Sequence, residues 1–171
     1  MNRMKDELKL IDKARRGDAD AFCSLYGLYR ERLYRYAFYR LRSEADAEDA
    51  VSECVLSAWR QIGTLREAGA FPTWIFRILS CCCNQLIKQQ IDRRQQGDAE
   101  ETVLPVTEHT DTSLILQEAL AQLSDEERNV VLLSAVCGLK SREIAKLTGM
   151  MPGSVRSSLS RSLKKVRGYL A

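Results

Sequence analysis

The 171 residues suffice for one domain or two small ones, and 45% hydrophobic with 29% charged residues is the balance of a chain that buries a core. Wholesale disorder is thereby excluded, no apolar run reaches the roughly 18 residues of a membrane span, and the start MNRMKDELKL lacks a signal-peptide core. The net charge of +3 hides a partition: 17 basic against 13 acidic residues over 1–94, no base and five acids over 95–112, and nine against five over 113–171.

Helix follows helix in the first half. Leu8 and Ile11 begin an apolar stripe that stops at Gly17, with Asp18 placed to cap the next helix. Phe22, Leu25, Tyr26, Tyr29, Leu33, Ala37 and Leu41 recur at three- and four-residue steps and predict a long amphipathic helix. Ser43 with Asp46 three residues on reads as a capping box, ahead of a stripe of Val51, Val55, Ala58, Trp59 and Ile62 ended by Gly63. A loop over 64–71 leads to Pro72 in the first turn of a fourth helix, which carries Trp74, Ile75, Ile78, Leu79, Cys82, Leu86 and Ile87 and finishes at Arg93 and Arg94.

Residues 95–112 have no period and are acidic, so a mobile linker is expected there, with His109 solvated inside it. Beyond it, Ile115, Leu116, Ala119, Leu120 and Leu123 mark a fifth helix. Ser124 and Glu127 form a capping box opening a sixth, which carries Val130, Val131, Leu133 and Cys137 and stops at Gly138. A short helix with Ile144, Ala145 and Leu147 ends at Gly149, and Pro152 opens a last one running to about Gly168. The expected fold is all-α: helical modules over 1–94 and 113–171, tethered by 95–112.

Few residue types suited to catalysis are present. There is one histidine and no Gly-rich phosphate loop, and neither a nucleophile–base pair nor a ligand cluster is discernible. Of the six cysteines, Cys81, Cys82 and Cys83 point about 100° apart on a helix and cannot share one ion, and no C-x-x-C spacing exists. Reduced thiols serving as small hydrophobes are expected, with no metal, no cofactor and no enzymatic activity.

The segments Arg142–Thr148 and Pro152–Arg167, hinged at Gly149, have helix-turn-helix proportions. On the last helix Val155, Leu159, Leu163 and Val166 form an apolar stripe, while Arg156, Ser157, Ser160, Arg161 and Lys164 share another side. No acid follows Glu143, which suits a helix entering a DNA groove. The same cations also complement the dipole of a C-terminal helix.

The wording from LQEALAQLSDEERNVVLL to SVRSSLSRSLKKVRGYL resembles region four of bacterial sigma factors of the extracytoplasmic-function (ECF) type. GDADAFCSLYGLYRERLYRYAFYRL, DAEDAVSECVLSAW and FPTWIFRIL resemble region two, in the family's order. The resemblance implies a cytoplasmic initiation subunit with no chemistry of its own. Its implied partners are core RNA polymerase, through the β′ clamp helices and the β subunit, promoter DNA and an anti-sigma factor, without membrane insertion. Asp46, Glu48, Asp49 and Glu53 match the segment for polymerase docking; taken without the resemblance, they read as a solvated helix face. Arg66, Phe71, Trp74, Arg77 and Lys88 match positions for the −10 element, where Phe71 and Trp74 read equally as core. Arg156, Ser157, Ser160, Arg161, Lys164 and Lys165 are assigned to the −35 element, the arginines to base edges or bordering phosphates and the lysines mainly to the backbone.

Departures from the family wording fall at Ser52, Ser80, Cys81, Gln85, Lys140 and Ser158, and the turn places Pro152 one residue late. Two other readings stay open at this point: a helix-turn-helix regulator that is not a polymerase subunit, and a helical decoy that binds polymerase without reading a promoter.

Overall fold

A computed structural model describes residues 2–97 and 111–171, which contain eight α-helices and no strand. The first module holds α1 (Asn2–Arg15), α2 (Ala19–Leu41), α3 (Glu44–Gln61) and α4 (Phe71–Gln95), with 3₁₀ turns at Ile62–Thr64 and Ala68–Ala70. The second holds α5 (Asp111–Ala121), α6 (Asp125–Ala135), α7 (Ser141–Thr148) and α8 (Pro152–Leu170). Helix thus extends into both ends of the expected linker, and residues 98–110, with His109, lie outside the described residues.

The helix boundaries follow from local chemistry. Asp18 Oδ1 accepts from the Ala21 N–H at 3.0 Å and starts α2, while Ser43 Oγ accepts from the Asp46 N–H at 3.2 Å and starts α3. The Asp46 carboxylate does not reach back to complete a box; it accepts from Gln90 Nε2 of α4 at 2.6 Å. At α6 the box is reciprocal, with Glu127 N–H to Ser124 Oγ at 3.1 Å and Ser124 N–H to Glu127 Oε2 at 3.0 Å. Lys140 has no side-chain acceptor yet still stands at the N-cap of α7, so the helix start is not delayed, and Glu143 Oε2 takes the Lys140 N–H at 2.7 Å. Gly149 ends α7 at φ +75°, the left-handed turn that sets α8 against α7.

The first core is aromatic. Tyr29 meets Phe71 edge-on at 5.1 Å between ring centroids, and Phe76 stands 6.3 Å from both Tyr29 and Tyr36. All four rings are buried. In the second module Val130, Leu133, Ile144 and Val155 are buried. The last helix packs differently from its expected stripe: Val155, Ser158, Ser162 and Val166 are buried, whereas Leu159 and Leu163 are only partly so. Small serines at this seam let α6 and α7 come close, which a Leu stripe would prevent.

The two modules touch. Helix α6 packs on α2, and α7 reaches the start of α4. Arg40, only 5% exposed, donates from Nη1 to Tyr36 Oη at 2.8 Å and to Ser80 Oγ at 3.2 Å, and from Nη2 to Asn84 Oδ1 at 2.5 Å. Across the interface its Nη2 lies 3.5 Å from Asp125 Oδ2, and Tyr36 Oη donates to Asn129 Oδ1 at 2.6 Å. Burial works against the Arg40 charge, but Tyr36 and Asp125 favour it, and the guanidinium ends above its ordinary value.

These cores set different mutational costs. Phe76→Ala empties the middle of the aromatic cluster and should lower unfolding free energy by about 3–5 kcal/mol. Ser124→Ala removes one cap and should cost about 0.5–2 kcal/mol. Urea unfolding followed by circular dichroism measures both.

Candidate nucleic-acid and protein interfaces

Helix α3 sorts its four acids by position. Glu48, Asp49 and Glu53 are exposed, whereas Asp46 is half-buried and holds Gln90. Asp49 and Glu53, four residues apart, line a groove of about 390 Å³ between α3 and α4, together with Ser52, Leu56, Gln85 and Leu86. Leu56 is 51% exposed there, an apolar contribution that the acidic pattern did not reveal. Glu48 is not among the groove's residues; its charge, with that of Glu44, pushes the Tyr34 hydroxyl up after burial has done most of that.

The residues matched to the −10 element separate likewise. Arg77 and Lys88 are exposed, and eleven residues bring them back to one face of α4, about 16 Å apart along its axis. Arg66 is exposed on the loop, where Arg15 Nη2 of α1 donates to its carbonyl at 2.8 Å. Trp74 is half-buried, with its ring 5.8 Å from that of Phe71. Phe71 itself is 2% exposed and belongs to the core, so it props the loop from below. Ser80 is buried beside Arg40, which accounts for a small residue at that position.

On α8, Arg156, Ser157, Ser160, Arg161 and Lys164 are all exposed on one side. The Ser157 hydroxyl is occupied with its own helix, donating to the Gly153 carbonyl at 3.0 Å. Lys165 is not free: its Nζ lies 2.7 Å from Glu127 Oε1. This hydrogen bond first, then the Ser124 N–H and the Lys165 and Arg161 charges, hold the Glu127 carboxyl below its usual range. Glu126 and Glu127 also border, with Arg161 and Met151, a depression of about 740 Å³ at the start of α8. Along the chain no acid follows Glu143, yet folding brings two acids of α6 against the basic helix.

All six cysteines are free thiols, with Cys54, Cys82, Cys83 and Cys137 buried and Cys23 and Cys81 exposed. No group of three or more His, Cys, Asp or Glu side chains able to hold a metal exists among the described residues, and none of the described helices is long and apolar enough to cross a membrane.

Residues 25–96 match the family described as Sigma-70 region 2, and residues 113–166 match Sigma-70, region 4. The chain is 31% identical over 165 residues to the ECF RNA polymerase sigma factor SigM of Mycobacterium tuberculosis, covering 90% of this chain and 81% of that one. It is 30% identical over 172 residues to the ECF RNA polymerase sigma factor BldN of Streptomyces coelicolor, covering 95% and 65% respectively. The fold is shared with the sigma factor RpoE from Bartonella quintana, solved in complex with the anti-sigma factor NepR, at a TM-score of 0.73 and 21% identity over 87% of this chain and 96% of that one.

Burial raises the thiols of Cys54 and Cys137 strongly and that of Cys83 to about 12, leaving them almost no thiolate at pH 8. A thiol-reactive disulfide reagent at that pH should modify Cys23 and Cys81 rapidly and the four buried thiols only on unfolding, as peptide mass spectrometry would read directly.

Proposed function

The chain belongs to the sigma-70 family as an ECF-type RNA polymerase sigma factor directing transcription initiation, and from that premise we propose how its surfaces divide the work. Region two docks core polymerase through the α3–α4 groove, with Asp49 and Glu53 meeting basic side chains of the β′ clamp helices and Leu56 supplying apolar contact. Glu48 lies outside the groove and adds negative charge to the same helix, and Asp46 serves by fixing α3 to α4. Region two takes the −10 element on α4 and its preceding loop, with Arg66, Arg77 and Lys88 as phosphate or base contacts and Trp74 as the stacking ring. Phe71 acts through the loop it supports. Region four takes the −35 element on α8, with Arg156 and Arg161 at base edges and Ser160 and Lys164 beside them. The β subunit receives region four, and an anti-sigma factor is the regulator that this family and the complex of its structural relative suggest. As a sigma factor the chain carries no enzymatic step; polymerase does the chemistry, in the cytoplasm.

The observation that carries this reading is the sorting on α8. Five polar and basic side chains face outward on one side while Val155 and Val166 anchor the opposite one, so the helix is held with its cations free for a groove. A run-off assay with core polymerase tests the whole. Promoter-dependent product is expected; without it, a DNA-binding regulator or a polymerase decoy remains.

Residue-level tests rest on the same sorting. Asp49→Arg with Glu53→Arg should weaken core binding about tenfold or more, ~1.4 kcal/mol or above, while circular dichroism stays helical. Arg156→Ala should cost about 1–3 kcal/mol on the matched −35 sequence and relax discrimination at one base position. Lys164→Ala should weaken all sequences alike and reduce the salt slope by about 1. Lys165→Ala should change that slope less, because its ammonium is already held by Glu127. Titrations on matched and scrambled duplexes at several salt concentrations separate the three.

A further inference from the structure

The turn between α7 and α8 carries two methionines in a row, and the fold divides them. Met150 is half-buried and packs against the core of region four, whereas Met151 is 73% exposed. A single exposed apolar side chain is ordinary on a protein surface, but this one has a particular place. Met151 is the N-cap of α8, with extended backbone at φ −71° and ψ 144°, and so stands just ahead of the first turn of the helix assigned to the −35 element. That end of a recognition helix is the one that reaches base edges. Because Pro152 falls one residue late, an unbranched, flexible side chain occupies the place where the family wording has a proline ring.

The polar groups nearby have other work. The Arg156 guanidinium comes back along α8 to Gly153, where a Cβ would lie 3.9 Å from its Nη2. The Ser157 hydroxyl is spent on the Gly153 carbonyl at 3.0 Å. Glu126 and Glu127 border the depression that Met151 shares with Arg161, and their charge disfavours a phosphate on that margin. The one methyl group displayed in the major groove is the C5-methyl of thymine, and a thioether chain is soft and adaptable enough to meet it. We propose that Met151 reads a thymine methyl in the −35 element, beside the base taken by Arg156. This role for Met151 rests on the placement of that element on α8.

Holoenzymes reconstituted from core polymerase and the full-length chain test this. Promoter duplexes are first selected from a pool randomised across the −35 element. Each thymine of the selected element is then replaced in turn by deoxyuridine, which lacks only the methyl group. With the unaltered chain, uracil should cost about threefold to fivefold in affinity at one position, the worth of one buried methyl. Met151→Gln, of nearly the same length but polar, should abolish that penalty and flatten the selected preference at the same position, whereas Met151→Leu should keep both. If uracil costs the Met151→Gln holoenzyme as much as the unaltered one at every position, the proposal is overturned. An equal loss on every duplex, or weaker binding to core polymerase in the absence of DNA, overturns it too, by moving Met151 to the DNA backbone or to a protein contact. Arg156→Ala separates this role from the placement of the −35 element. A selected preference altered by Arg156→Ala but not by Met151→Gln removes Met151 alone, and one altered by neither removes α8 as the reader.

Discussion

The Arg40 guanidinium stands between Tyr36, Ser80, Asn84 and Asp125, which come from α2, α4 and α6. Desolvating a charge is expensive unless hydrogen bonds and an opposite charge return the loss, and each of these four supplies part of that return. The arrangement constrains its surroundings. Position 80 must be small and carry a hydroxyl, α2 and α4 must keep their register, and α6 must present its N-terminal turn. Tyr36 extends the same chain of bonds, accepting from Arg40 while donating to Asn129. The polar centre thus joins the two helical modules.

Around it, the aromatic cluster of Tyr29, Phe71 and Phe76 fixes the angle at which α4 leaves the loop. That angle decides which α4 residues face out. Arg77 and Lys88 emerge on one side, and Phe71 is spent on the core. The loop before α4 is pinned from outside as well, because Arg15 of α1 holds the Arg66 carbonyl. An α1 cation thereby shapes the loop before α4, some fifty residues away in the chain.

On region four, packing by Ser158 and Ser162 brings α8 close to its neighbours and turns its basic side outward. The same closeness sets Glu127 against Lys165 and near Arg161. The basic helix is therefore trimmed at one edge by acids of another helix, so its cations are unequal. Those on the outer side stay exposed, whereas Lys165 is held by Glu127.

Much of this was legible in the residues themselves. Spacing at three and four positions, the caps Asp18, Ser43 and Ser124, and the glycines at 138 and 149 located the helices, because these signals act within a few residues and need no partner elsewhere. The motifs of regions two and four were legible for the same reason, as was the outward side of α8, since five residues at helical spacing must share a face. What only tertiary structure decided was which of those residues are free. Asp46 is claimed by Gln90, Lys165 by Glu127 and Phe71 by Tyr29, partners 44, 38 and 42 residues distant. The docking of α6 on α2 was equally hidden. Its determinants, Arg40 and Asp125, are ordinary charged residues in their own helices, and a charge shows itself as an interface residue only when the fold buries it against its partner.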